Sequence, residues 1–83
     1  MHLWFVYILE CADGTLYTGM TNDLERRLDQ HNAGTAARYT RARTPVKLVY
    51  QEKSENRSTA LKREYAIKQL TRKQKDQLIT GKT

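Results

Sequence analysis

Apolar and polar positions fall into short blocks along the chain, and their spacing predicts the elements. Leu3-Trp4-Phe5-Val6-Tyr7-Ile8-Leu9 is an unbroken apolar run, too short for a typical helix. It predicts a strand covered on both faces, hence central in its sheet. Asp13-Gly14 is a turn signal, and Thr15-Leu16-Tyr17-Thr18-Gly19 resumes the strand pattern, so the two segments form a β-hairpin. Leu24 and Leu28 then recur at helical spacing. Asn22 is placed to cap that helix, Glu25 completes a box-like pair, and Gly34 closes it. Residues 35–45 are small and basic and read as a loop with room for one helical turn. Val46-Lys47-Leu48-Val49-Tyr50 predicts a third strand. Ser58 is placed to cap a long helix reaching about Leu70, and Thr71 with Gln74 opens a short basic helix.

The order β-β-α-β-α-α predicts an α/β (α+β) fold, a three-stranded antiparallel sheet flanked by helices. With 83 residues the expectation is one domain, 1–83, holding one small core and one site. An apolar share of 39%, gathered in periodic clusters, argues against wholesale disorder.

Charge changes the picture. The net is +6, yet residues 1–33 carry two Lys/Arg against five Asp/Glu, whereas residues 34–83 carry thirteen against four. That asymmetry points to a polyanionic partner met mainly by the second half, although a solvated basic surface would look the same. Cys11 is the only cysteine, so no intramolecular disulfide forms, which fits a reducing compartment. The first apolar run lacks a preceding basic residue and a following small-residue cleavage site. It is also too short to span a bilayer, so the chain is expected to be a cytoplasmic monomer.

Candidate chemistry sits on few residues. Tyr7 and Tyr17 lie in the hairpin, where a tyrosine is by default a core aromatic whose hydroxyl finds one partner. Arg27 and His31 are four apart on the first helix, beside the Leu24/Leu28 stripe. Glu64 falls inside the arc defined by Ala60, Leu61, Tyr65 and Ile67. A carboxylate there is costly unless paired or metal-bound. It has two readings, an ion pair with Lys68 four residues on, or a metal ligand.

These residues together carry a resemblance. Phe5-Val6-Tyr7, nine residues, then Tyr17-Thr18-Gly19 resembles the paired signature of the GIY-YIG endonucleases, with Gly19 as its structural glycine. Leu24-Glu25-Arg26-Arg27-Leu28 with His31-Asn32 is similar to that family's first helix, and Ala60-Leu61-Lys62-Arg63-Glu64 to its metal-binding segment. The His-Asn-Ala-Gly stretch and Arg38-Tyr39-Thr40…Thr44-Pro45 resemble the small bacterial single-domain branch. That branch is itself similar to the nuclease domain of junction resolvases, which act in DNA repair. The resemblance implies a hydrolase cutting nucleic acid, DNA more than RNA, with Tyr7, Tyr17, Arg27, His31 and Glu64 catalytic. Glu64 would hold Mg²⁺ or Mn²⁺. The chain departs from the pattern at Met20, where some members place a lysine. It also lacks the polar Asn that many members carry near the domain end, Asn56 coming too early.

In that chemistry a divalent ion on Glu64 stabilises the leaving 3′-oxygen, and Arg27 holds the non-bridging oxygens. Tyr17 orients the water and takes its proton or passes it to His31; the residues leave both routes open. Substrate contact would come from Arg38, Tyr39, Arg41 and Arg43, with Tyr39 stacking on an unpaired base, and less from Arg72, Lys73 and Lys75. Branched or single-stranded structures are candidate substrates. Two other classes remain open at this point, a non-catalytic nucleic-acid-binding module and a small interaction domain. A shared site also constrains the hairpin. A two-residue turn would set the tyrosines on opposite faces, whereas an odd loop such as Ala12-Asp13-Gly14 pairs Tyr7 with Gly19 and Tyr17 with Leu9, bringing both rings to one face.

Overall fold

Alternation along one strand sets the architecture. In the computed structural model, which describes residues 3–81, the elements are β1 (Trp4–Glu10), β2 (Leu16–Thr21), α1 (Leu24–Asn32), α2 (Arg38–Arg41), β3 (Lys47–Ser54), α3 (Arg57–Lys68) and α4 (Arg72–Thr80). The sheet is antiparallel in the order β2-β1-β3, so the apolar first strand is central as its pattern predicts. Val6 and Ile8 point to one face, where they meet Ala60 and Ile67 of α3, with Leu78 and Ile79 of α4 packed around them. Tyr7 and Leu9 point to the other, against Leu24 and Leu28 of α1 and Val46 before β3. The expected order gains one element, since a turn of residues 38–41 closes as α2.

The hairpin has the odd loop. Tyr7 pairs with Gly19 and Leu9 with Tyr17. The Gly14 amide donates to the Cys11 carbonyl at 2.9 Å, and the Cys11 amide donates to the Thr15 carbonyl at 2.8 Å. Gly14 has φ 84°, the left-handed conformation that a three-residue loop requires at its last position.

Two helix starts differ from expectation. Asp23, not Asn22, caps α1, its carboxylate accepting from the Arg26 amide at 3.1 Å. β2 runs on through Thr21, whose hydroxyl takes the Asp23 amide at 3.0 Å, so Asn22 becomes the bend. Asn56, not Ser58, caps α3, its amide oxygen accepting from Thr59 at 2.8 Å, because β3 ends at Ser54 and leaves a short connection. Thr71 and Gln74 do form a reciprocal capping box.

The arc drawn around Glu64 is also corrected. Leu61 and Tyr65 face solvent, at 48% and 67% exposure, while Ala60 and Ile67 are fully buried. Apolar residues are scattered around α3, so they do not define one inward stripe. The buried line runs Ala60, Glu64, Ile67 at helical spacing, and the Glu64 side chain stays 16% exposed.

Candidate active site

Tyr7 projects from the central strand beneath α1. Gly19 lies opposite it, and a Cβ there would stand 2.5 Å from the Tyr7 hydroxyl oxygen. Only glycine lets the ring lie across β2, so Gly19 is structural in a steric sense. The hydroxyl reaches Nε2 of His31 at 2.9 Å. His31, 1% exposed, contacts the Thr40 hydroxyl through Nδ1 at 2.8 Å, and Thr40 donates to the Ala37 carbonyl at 3.2 Å.

Gly34 makes that contact possible. It adopts φ 80° just beyond α1, where its amide bonds the His31 carbonyl and the Thr35 amide bonds that of Gln30. This Schellman closure turns the chain back so that α2 lies against α1. Asn32 holds the next stretch, its side chain bonding the Val46 amide at 2.8 Å and carbonyl at 3.2 Å.

Tyr17 shares the Tyr7 face and is half-buried. Its ring meets His31 edge-on at 5.1 Å and stacks against Tyr39 at 5.9 Å. The Arg43 guanidinium sits 4.1 Å from the Tyr39 ring centre, bonded to Asp13 at 3.1 Å and to the Tyr39 carbonyl at 2.8 Å. Tyr39 and Arg43 are thus engaged within the chain, tying α2 to the hairpin loop. Arg38 and Arg41 are exposed, and neither forms an ion pair among the described residues. Arg72 bonds Asp76 and the Gly14 carbonyl, so it anchors α4 to the hairpin turn.

The charges converge on the two phenols. Burial raises the pKa of Tyr7 well above the usual range, with Tyr17 and Glu64 adding and Arg27 opposing. Burial likewise raises Tyr17, with Glu64 adding and Arg27 opposing. Burial and then Arg27 push His31 down, which keeps the ring neutral near pH 7. Glu64, although on the helix covering the opposite face, is near enough for its charge to act on both tyrosines. Lys68 is its ion-pair partner at 3.8 Å, a loose contact. Arg27 bonds Gln30 at 3.3 Å and, among the described residues, has no ion pair, leaving guanidinium donors uncommitted.

The five residues expected to act together are thus brought into one region. Sequence reasoning did not single out Thr40, which no periodicity marks because its place depends on the fold-back at Gly34.

Residues 3–77 match the model of the GIY-YIG catalytic domain. The chain belongs to the GIY-YIG family. Its relatives include UPF0213 proteins of Clostridium perfringens, 60% identical over 95% of this chain and 85% of that one, and of Halobacterium salinarum, 56% identical over 89% and 96%. The solution NMR structure of a protein from E. faecalis aligns with TM-score 0.64 at 46% identity, covering 98% of this chain and 90% of that one. That of a UPF0213 protein from Bacillus halodurans aligns with TM-score 0.61 at 44% identity, over 94% and 83%. A GIY-YIG domain places the chain in a nuclease family whose members generally depend on a divalent metal. No helix among the described residues is long and apolar enough to cross a membrane.

The donor set tests the fit of such a metal. No cluster of three His, Cys, Asp or Glu occurs among the described residues, which argues against a closed structural site. A single shielded carboxylate suits a hard cation that keeps most of its water.

Proposed function

We propose that this chain is a Mg²⁺- or Mn²⁺-dependent endonuclease hydrolysing phosphodiester bonds in DNA, branched or single-stranded structures among its substrates. The observation that carries this reading is a shielded carboxylate and an uncommitted guanidinium whose charges both act on two phenols packed against His31, one of them hydrogen-bonded to it. A pure binder needs no such set. Glu64 would hold the cation, which supplies positive charge to the phosphate and the leaving oxygen. Arg27 takes the non-bridging oxygens through its free donors as negative charge builds.

Tyr17 orients the attacking water. As its oxygen bonds phosphorus, the water loses a proton towards the Tyr17–Tyr7–His31 group, the bond to the 3′-oxygen breaks, and that oxygen regains a proton from solvent. Tyr17 is a poor base alone, since burial and Glu64 hold its proton on. Neutral His31, reached through Tyr7, is the better final acceptor. Arg38 and Arg41 contact flanking phosphates, with the Arg43–Tyr39 pair as a nearer wall.

The test is cleavage of single-stranded, duplex and branched DNA and of RNA, with Mg²⁺ or EDTA, by wild type and Glu64→Ala. Cleavage that needs Mg²⁺ and falls at least a hundredfold in the variant supports the enzyme. Binding without cleavage by either protein supports a binding module instead. Equal cleavage by both removes Glu64 from the site.

A further inference from the structure

We propose that Thr40 is a positioning residue that sets the tautomer of His31, making its Nε2 the proton acceptor for Tyr7. Counting protons around the buried chain of hydrogen bonds carries this. Tyr7 has one O–H, and His31 Nε2 is its only hydrogen-bond partner among the described residues. That proton is satisfied only if Nε2 presents a lone pair. A neutral ring then carries its hydrogen on Nδ1, which needs an acceptor. The Thr40 oxygen is 2.8 Å away and is free to accept, because the Thr40 proton goes to the Ala37 carbonyl. Every proton has a place in this arrangement. The opposite tautomer would turn Nε2–H towards Tyr7 and strand a buried O–H.

The direction has a chemical consequence, which rests on the nuclease reading. With its own proton committed to His31, the Tyr7 oxygen keeps its lone pairs for an incoming proton. Hydrogen bonds then run one way, from the Tyr7 oxygen to Nε2 and from Nδ1–H to Thr40. If Nε2 takes the Tyr7 proton while Tyr7 receives another, the imidazolium keeps Nδ1–H on Thr40 and the ring need not flip. Thr40 is 0% exposed and touches no substrate, so it acts only through His31.

The tautomer is read directly from two-bond ¹H–¹⁵N correlations of the His31 ring near pH 7.5, in wild type, Thr40→Val and Thr40→Ser. The expected result is Nδ1–H in wild type and Thr40→Ser, and a shift towards Nε2–H in Thr40→Val. Cleavage should fall roughly a hundredfold in Thr40→Val, mainly in kcat, with metal-free DNA affinity unchanged and activity largely restored in Thr40→Ser. Nε2–H in wild type, or the same tautomer in wild type and a folded Thr40→Val, overturns the proposal whatever the activity. If Thr40→Val does not fold, the wild-type spectrum still decides. The expected tautomers with no cleavage by any variant would uphold the role of Thr40 and sink the nuclease reading alone.

Discussion

The two faces of the sheet are built from alternate residues of the same strand, yet they solve opposite problems. On the α3/α4 face Val6 and Ile8 meet Ala60 and Ile67 in an apolar contact with one polar neighbour left unmatched: the Thr18 hydroxyl is buried with no partner among the described residues. On the α1/α2 face Tyr7, His31 and Thr40 are as deeply buried, yet each has a partner. Apolar burial stabilises wherever area is lost to water, but buried polar atoms are tolerated only when all of them are matched. One face therefore holds the molecule together with loose directional demands. The other gives directionality to three side chains.

Exchanging one residue from each face should separate these jobs most sharply. Ile8→Ala leaves a cavity in the apolar face and should lower unfolding free energy by about 3 kcal/mol, with cleavage per folded molecule little changed. Tyr7→Phe should cost about 1–2 kcal/mol, from the His31 acceptor left unmatched, while removing most cleavage. Urea melts and single-turnover rates on both proteins check this; parallel losses in both readouts would erase the distinction.

A smaller effect of opposite sign is expected from Thr18→Val. It keeps the β-branched shape and removes the orphaned hydroxyl, so stability should rise by about 1 kcal/mol in a thermal or urea melt. A loss there would mean that the hydroxyl has a bound water partner and that the two faces are more alike than they look.

The subtlest difference is in pH. Burial and Arg27 hold the His31 pKa below its ordinary value, so the unfolded chain takes up that proton first on acidification. Stability from the neutral ring is complete above about pH 6.5 and is lost as pH falls from there through the folded-state pKa. The urea midpoint should decline from pH 7 to 5.5 in wild type and do so less in His31→Phe. An identical decline in both would move the titration to other groups.

What the sequence made legible follows the same division. The central strand and the hairpin were readable, because alternation and a glycine turn are local rules, whereas the odd loop followed only from requiring both tyrosines in one site. The convergence of Arg27, His31 and Glu64 was readable only through the family pattern. Capping was misplaced by one residue at Asp23 and two at Asn56, since neighbouring polar side chains compete and the end of the preceding strand decides. Leu61 and Tyr65 read as inward because α3 lacks a clear stripe; Ala60, a small residue fully buried, marks where helix and sheet meet. Thr40 stood in the sequence only as part of the branch pattern and its role was hidden, as its contact with His31 depends on the folded Gly34 connection.

The hairpin loop carries a constraint of parity rather than composition. With nine residues fixed between the two tyrosines, a slip of the strand pairing by two would preserve which face Tyr17 occupies, whereas a slip of one would send that ring to the side of α3, away from His31. A residue inserted within the loop is therefore expected to be accepted when the loop absorbs it and Tyr7 stays opposite the glycine, whatever residue it is.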